Sequence, residues 1–205
     1  MSAVFSITTP RSWFELELRP ERRDAAMKDL VNERVAEVPE LRDYRTDITR
    51  MLRRYARSAW NSGARYATAF ASPAEGTVLT GSLMITDVPY PPDAGDDPLG
   101  SVVEHLSRTS TGPGDETWSS VEIATIEGLG RCPRSFGVED VELPDDVGSV
   151  RVVTMQTFVP LPTRGLLLVS CSSPDIDLAS EMLELFSAVT ATLRVRSDEP
   201  AVEAL

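Results

Sequence analysis

An α/β/α sandwich of the α+β class, with a largely antiparallel sheet of about six to eight strands covered by helices, is the fold this sequence predicts. Two observations carry the reading. Strand-like segments outnumber helical ones and mostly follow one another directly, which favours antiparallel pairing. The block Val150–Leu193 then shows the arrangement in miniature: a Val-, Thr- and Phe-rich run, a Pro160-Leu161-Pro162 turn, the apolar run Leu166–Val169 and a helical segment. In that segment Ala179, Met182, Leu183, Phe186, Val189 and Leu193 form one helical stripe, with Ser173 as its cap and Pro174 as its first residue. Along the first run Val152, Thr154, Gln156 and Phe158 share one face, and Val153, Met155, Thr157 and Val159 the other. Neither face is purely polar, so both are expected to be partly covered.

From the N-terminus, Ala3–Thr8 and Trp13–Leu18 read as short strands, with Trp13 in the core. Pro20 opens a first helix, whose apolar positions run from Ala26 to Val38 before Pro39 ends it. A second, longer helix has its stripe on Leu41, Tyr44, Ile48, Met51, Leu52, Tyr55, Ala59 and Tyr66. Tyr66–Ser72 and Thr77–Val88 read as strands joined by a turn at Pro73–Gly76, followed by a loop over Pro89–Pro98. Leu99–Leu106 is a short helix, and Trp118–Ile126 and Arg131–Phe136 are strands around a Gly128-Leu129-Gly130 turn. Val138–Gly148 reads as an acidic loop. One domain over residues 1–196 and a disordered tail over 197–205 complete the expected organisation.

Composition narrows the function by exclusion. Hydrophobic residues make up 41% of the 205-residue chain and charged residues 25%, ordinary for a soluble globular protein. The net charge of −12 argues against nucleic acid and anionic membranes as partners. It is uneven: residues 1–66 carry 13 basic and 10 acidic side chains, and the remainder 7 and 22, which gives +3 and −15. Two cysteines, the absence of an 18-residue apolar run and an N-terminus without a secretory pattern lead to a cytoplasmic reading.

No stretch carries a catalytic or cofactor signature, and no cofactor, metal or catalytic residue is expected. Asp93, Asp96 and Asp97 lack the ordered spacing of a calcium loop, and Gly128-Leu129-Gly130 lacks the pattern of a phosphate loop. His105 is the single histidine and cannot build a familiar zinc site with Cys132 and Cys171. A Cys–His dyad with either cysteine remains sterically open. The most pointed feature is the ridge Arg50, Arg53, Arg54 and Arg57, at i, i+3, i+4 and i+7 opposite the apolar stripe of the second helix. Guanidinium forks suit carboxylates, so the ridge is the candidate docking face for an acidic partner; the alternative is a solvated helix face.

The block Thr157–Pro162 with Leu166–Pro174, and the closing Glu184–Leu193, resemble the ending of small actinobacterial proteins of the PsbP-like superfamily. That superfamily includes a photosystem oxygen-evolving subunit, a Ran-binding protein and adaptors of bacterial secreted effectors. The resemblance implies an α/β/α sandwich around an antiparallel sheet and a non-enzymatic, protein-binding role. The expected function is therefore an adaptor or chaperone for a secreted or toxin protein. The alternatives are an immunity protein that neutralises a basic toxin, and a small-molecule-binding or enzymatic α+β domain. A pocket gathering Cys171, His105 and carboxylates would favour the last of these, and a grooved sheet with exposed apolar residues the first.

Overall fold

The computed structural model describes residues 4–74, 77–90, 97–109, 116–142, 148–161 and 165–196. Nine strands and four α-helices occur among them: β1 (Val4–Ser6), β2 (Trp13–Glu15), α1 (Pro20–Glu37), α2 (Arg45–Asn61), β3 (Ala64–Ala74), β4 (Thr77–Val88), α3 (Pro98–Thr109), β5 (Trp118–Ile126), β6 (Gly130–Glu142), β7 (Ser149–Pro160), β8 (Leu166–Ser173), α4 (Ala179–Ala191) and β9 (Arg194–Arg196). Seven of the strands form one antiparallel sheet in the order β2-β3-β4-β8-β7-β6-β5, and β1 pairs with β9 in a separate ribbon. The sheet class, strand number and helical covering follow the expectation from sequence.

Strand alternation gives the sheet two unlike faces. On the first, Val153, Met155, Val159, Leu167, Val169 and Cys171 meet Met182, Phe186 and Val189 of α4, with Leu193 just beyond it. Phe5, Ile7 and Val195 bring the β1–β9 ribbon onto the same cluster. Trp13 is in this core as expected, tilted on Phe70 at 5.0 Å between ring centroids. On the second face the α1–α2 hairpin buries Met27, Val31, Leu41, Ile48, Leu52 and Ala56 against Ala67, Ala69 and Ala71 of β3. Three alanines on one strand face leave room for the helix backbone to come close.

Several boundaries differ from the sequence reading. The second helix begins with a 3-10 turn, Pro39–Tyr44, and α2 ends at Asn61. Gly63 then takes φ +71°, which only glycine adopts without strain, so Tyr66 belongs to β3 and not to the helical stripe. The acidic stretch expected as a loop is largely strand, since β6 runs on to Glu142. Its extension is held by pairing with β7, and at its end the Arg151 guanidinium grips Asp140 through Nε (2.9 Å) and Nη2 (3.1 Å). The Trp13–Leu18 strand shrinks to Trp13–Glu15. The last helix starts at Ala179 after a 3-10 turn at Ile176–Leu178, so Ser173 is not its cap. Instead the Ser173 hydroxyl lies 2.7 Å from the Thr80 carbonyl and 3.1 Å from Asp175 Oδ2, while Thr80 N–H donates to that same carboxylate at 2.8 Å. The expected turn at Pro73–Gly76 and the tail over 197–205 fall partly or wholly outside the described residues.

Candidate functional site: a cleft between the third helix and the sheet

The amphipathic helix α3 lies over the second face of the sheet, on the side away from the α1–α2 hairpin. Its Val102 and Leu106 form a small apolar contact with Leu166, joined by Leu99, Val121 and Phe158. The strands beneath present side chains of a different kind. One register row reads Val121–Ser135–Gln156–Ser170, and the next reads Ser119–Gly137–Thr154–Ser172–Ser82. The Ser82 and Ser172 hydroxyl oxygens lie 3.0 Å apart across β4 and β8. Between Val121 and Met84 these rows place a floor of hydroxyls and one amide on this face, whereas the opposite face, under α4, is mostly apolar.

Helix and floor border a half-open cavity of about 560 Å³. Its walls are Val88, Pro89, Val102, Leu106, Val121, Phe158 and Leu166; its polar lining is Ser119, Ser135, Gln156, Glu139 and, on the helix, His105. Such a volume lies within the roughly 300–1,000 Å³ of small-molecule sites, and mostly apolar walls with a few polar groups are their usual make-up. Gly137 sits in the floor where β6 crosses β5. A Cβ there would run into the Trp118 carbonyl and approach the Ser119 Cα to 2.7 Å, so the strands can only close this tightly over glycine.

The residues that stand out in the sequence are spread over the molecule. Arg54 and Arg57 are exposed on α2. Arg50 pairs within the helix with Asp47 at 3.1 Å, and Arg53 reaches Asp24 of α1 at 3.4 Å. The ridge therefore divides: two arginines are engaged at home and two face outward. Arg50→Gln and Arg53→Gln should each cost less than about 1 kcal/mol, as partly exposed ion pairs do. Arg54→Gln and Arg57→Gln should leave the thermal midpoint unchanged; a fall of several degrees for either would show a packing role the structure does not give them.

Cys132 and Cys171 are free and buried on the α4 face, whereas His105 stands over the other face, so the sheet separates the cysteines from the histidine and no dyad forms. The cysteines lie on β6 and β8 with β7 between them, at least about 9–10 Å apart, beyond disulfide reach. Burial pushes the Cys171 thiol up to about 12, against the smaller opposing pulls of the Thr190 hydroxyl and Arg134, and Cys132 to about 11. A thiol whose folded pKa is raised stabilises fully below its unfolded value near 9, and that contribution is lost as pH rises towards the folded values. The denaturation midpoint should fall from pH 9 upward, and Cys171→Ala should make that fall shallower. Equal slopes for variant and wild type would contradict this.

Sequence reading missed Arg134, whose side chain is only 7% exposed under α4. Its Nε donates to Thr157 Oγ1 at 3.0 Å, and its Nη1 to Ser187 Oγ at 3.0 Å and Glu122 at 3.3 Å, which ties α4 to β5, β6 and β7. The cleft was missed as well; the one available signal was the mixed Thr154-Gln156-Phe158 face of β7.

Among the described residues no group of His, Cys, Asp and Glu is placed to hold a metal ion, and Asp93 and Asp96 lie outside them. None of the described helices is long and apolar enough to cross a membrane.

No family model matches the chain, and no curated protein matches it. The PsbP-like resemblance therefore rests on the C-terminal residues that suggested it. Solved structures do match, among them LpqN of Mycobacterium tuberculosis, a protein involved in cell envelope biogenesis. It is 11% identical, with 96% of this chain and 85% of that one covered, at a TM-score of 0.47. A likeness that distant carries no functional argument.

Proposed function

We propose that this protein is a non-enzymatic binding module whose working site is the cleft between α3 and the sheet. The observation that carries the reading is the 560 Å³ cavity with apolar walls and a hydroxyl-and-amide floor. An apolar pocket with a few fixed hydrogen-bonding groups orients a ligand by those groups and holds it by excluded apolar surface. The absence of catalysis is supported by where the reactive groups lie: both thiols are buried and held protonated, on the face away from His105. A cytoplasmic location belongs to the same proposal, and neither cysteine is used as a disulfide.

A protein partner, as an adaptor or chaperone would have, is favoured by a separate observation. Strand β5 is an outer strand nine residues long, with Ile123 40% exposed on it, directly beside the cleft. Nothing on β5 blunts that edge with proline or lysine, and an extended segment of another protein could add to it.

The cleft reading is tested with N-phenyl-1-naphthylamine, an uncharged apolar fluorophore. Its emission should rise on binding the wild-type protein, and Ser135→Leu, which fills the floor, should abolish the rise while leaving the melting curve cooperative. Equal enhancement by the two folded proteins would place the dye elsewhere and remove the reading.

A further inference from the structure

The cleft has a direction, set by strand register. At one end Phe158 of β7 faces Leu168, and Leu166 lies opposite Pro160 and Val88, an apolar corner. In the middle Ser135 and Gln156 stand opposite each other. At the other end Glu139 of β6 lines the cavity. Ser135 and Glu139 are four residues apart on one strand, about 13 Å. The cavity therefore runs from apolar, through neutral hydrogen-bonding, to carboxylate.

Among the described residues neither arginine nor lysine lines the cavity; its ionisable lining groups are Glu139 and the solvent-exposed His105. Arg108, the basic residue of α3, is committed to Glu104 at 3.0 Å. Arg131, on the same strand as Glu139, lies eight residues away and beyond Ser135. The chain beyond residue 66 is also strongly acidic as a whole, which favours an incoming cation. A carboxylate or phosphate head would meet Glu139 with no counter-charge, whereas an ammonium head would be paired there.

We infer that the cleft takes a cationic amphiphile, an aliphatic chain lying among Phe158, Leu166 and Leu106 with an amine or ammonium head at Glu139. The inference rests on the reading of the cleft as the binding site. The chain leaves water against apolar walls, and the Ser135 hydroxyl and Gln156 amide, half-buried beneath it, accept or donate to polar atoms near the head.

The test displaces bound N-phenyl-1-naphthylamine with dodecylamine or dodecanoate, both below their micelle concentrations. In wild type, dodecylamine should displace the dye at about one tenth the concentration of dodecanoate, the effect of one partly screened charge contact. Glu139→Gln should bring the two within about twofold, while Glu104→Gln, on the outside of α3, should leave the tenfold preference intact. Dye binding with dodecanoate equal or superior to dodecylamine would overturn the ligand class and leave the cleft standing. A preference erased equally by Glu104→Gln would assign it to the overall charge of the chain and overturn the inference too. Failure of the dye to bind in the cleft would remove the site itself.

Discussion

Phe186→Ala should lower the melting temperature by roughly 6–20 °C. Phe186 is fully buried in α4 and is among the largest completely enclosed side chains of the protein. It packs into the cluster that contains Val153, Met155, Leu167, Val169 and Cys171, the apolar face of the sheet. Truncating a buried phenylalanine removes its transfer energy and leaves a void, together about 3–5 kcal/mol. Against a total stability of about 5–15 kcal/mol this is a large share. For a chain of this length each kcal/mol moves the midpoint by about 2–4 °C. Glu184→Ala on the exposed side of the same helix is the control, with an expected change under about 0.5 kcal/mol. If thermal unfolding of Phe186→Ala matched that of the control, α4 would not be the cover of this face.

Gly137→Ala should be the second costly change, although it adds a single methyl group. The new Cβ would collide with the Trp118 carbonyl and the Ser119 backbone on β5. Backbone atoms in a paired strand cannot rotate aside as a side chain can, so β5 must shift away from β6. Forced overpacking of this kind costs about 1–3 kcal/mol. The same shift moves Ser119 and Val121, which line the cleft, so dye affinity should fall along with stability. Denaturation and dye titration of one preparation measure both. Unchanged values of both would mean that the two strands are not as close at this point as the structure places them.

The parts of the fold that could be read from sequence were those with strong periodicity. The α4 stripe and the alternating faces of β7 are carried by large apolar residues at regular spacing, and the structure has both. The extension of β6 was hidden because Glu139, Asp140 and Glu142 look like loop composition. What keeps them in a strand is tertiary: pairing with β7 and the Arg151 grip on Asp140. Strand β9 is three residues of Arg-Val-Arg, too short and too polar to signal itself, and it exists through pairing with β1 at the far end of the chain. Arg134 looked like an ordinary outward polar residue of a strand. It is buried because Thr157, Ser187 and Glu122, from three other elements, satisfy its guanidinium.

The cleft was illegible for the same reason. Its lining comes from α3 and four strands as well as the end of β4, one to three residues from each. Taken singly, Ser119, Ser135 and Gln156 are what a solvent-facing strand position holds. Only the register that aligns Val121, Ser135, Gln156 and Ser170 in one row turns them into a floor. The arginine ridge, by contrast, was visible at once from spacing, yet Arg50 and Arg53 are engaged with Asp47 and Asp24. Visibility in sequence tracked periodicity here, and the site has none.

That the cleft is the binding site is tested most directly by amide and methyl NMR with the fluorophore or dodecylamine added stepwise. The saturable shifts should concentrate on the Ser135, Gln156 and Glu139 amides and on the methyls of Val102, Leu106, Val121 and Leu166. Shifts centred instead on the exposed Arg54 and Arg57 of α2, or on the α4 face, with the cleft resonances unmoved, would contradict it.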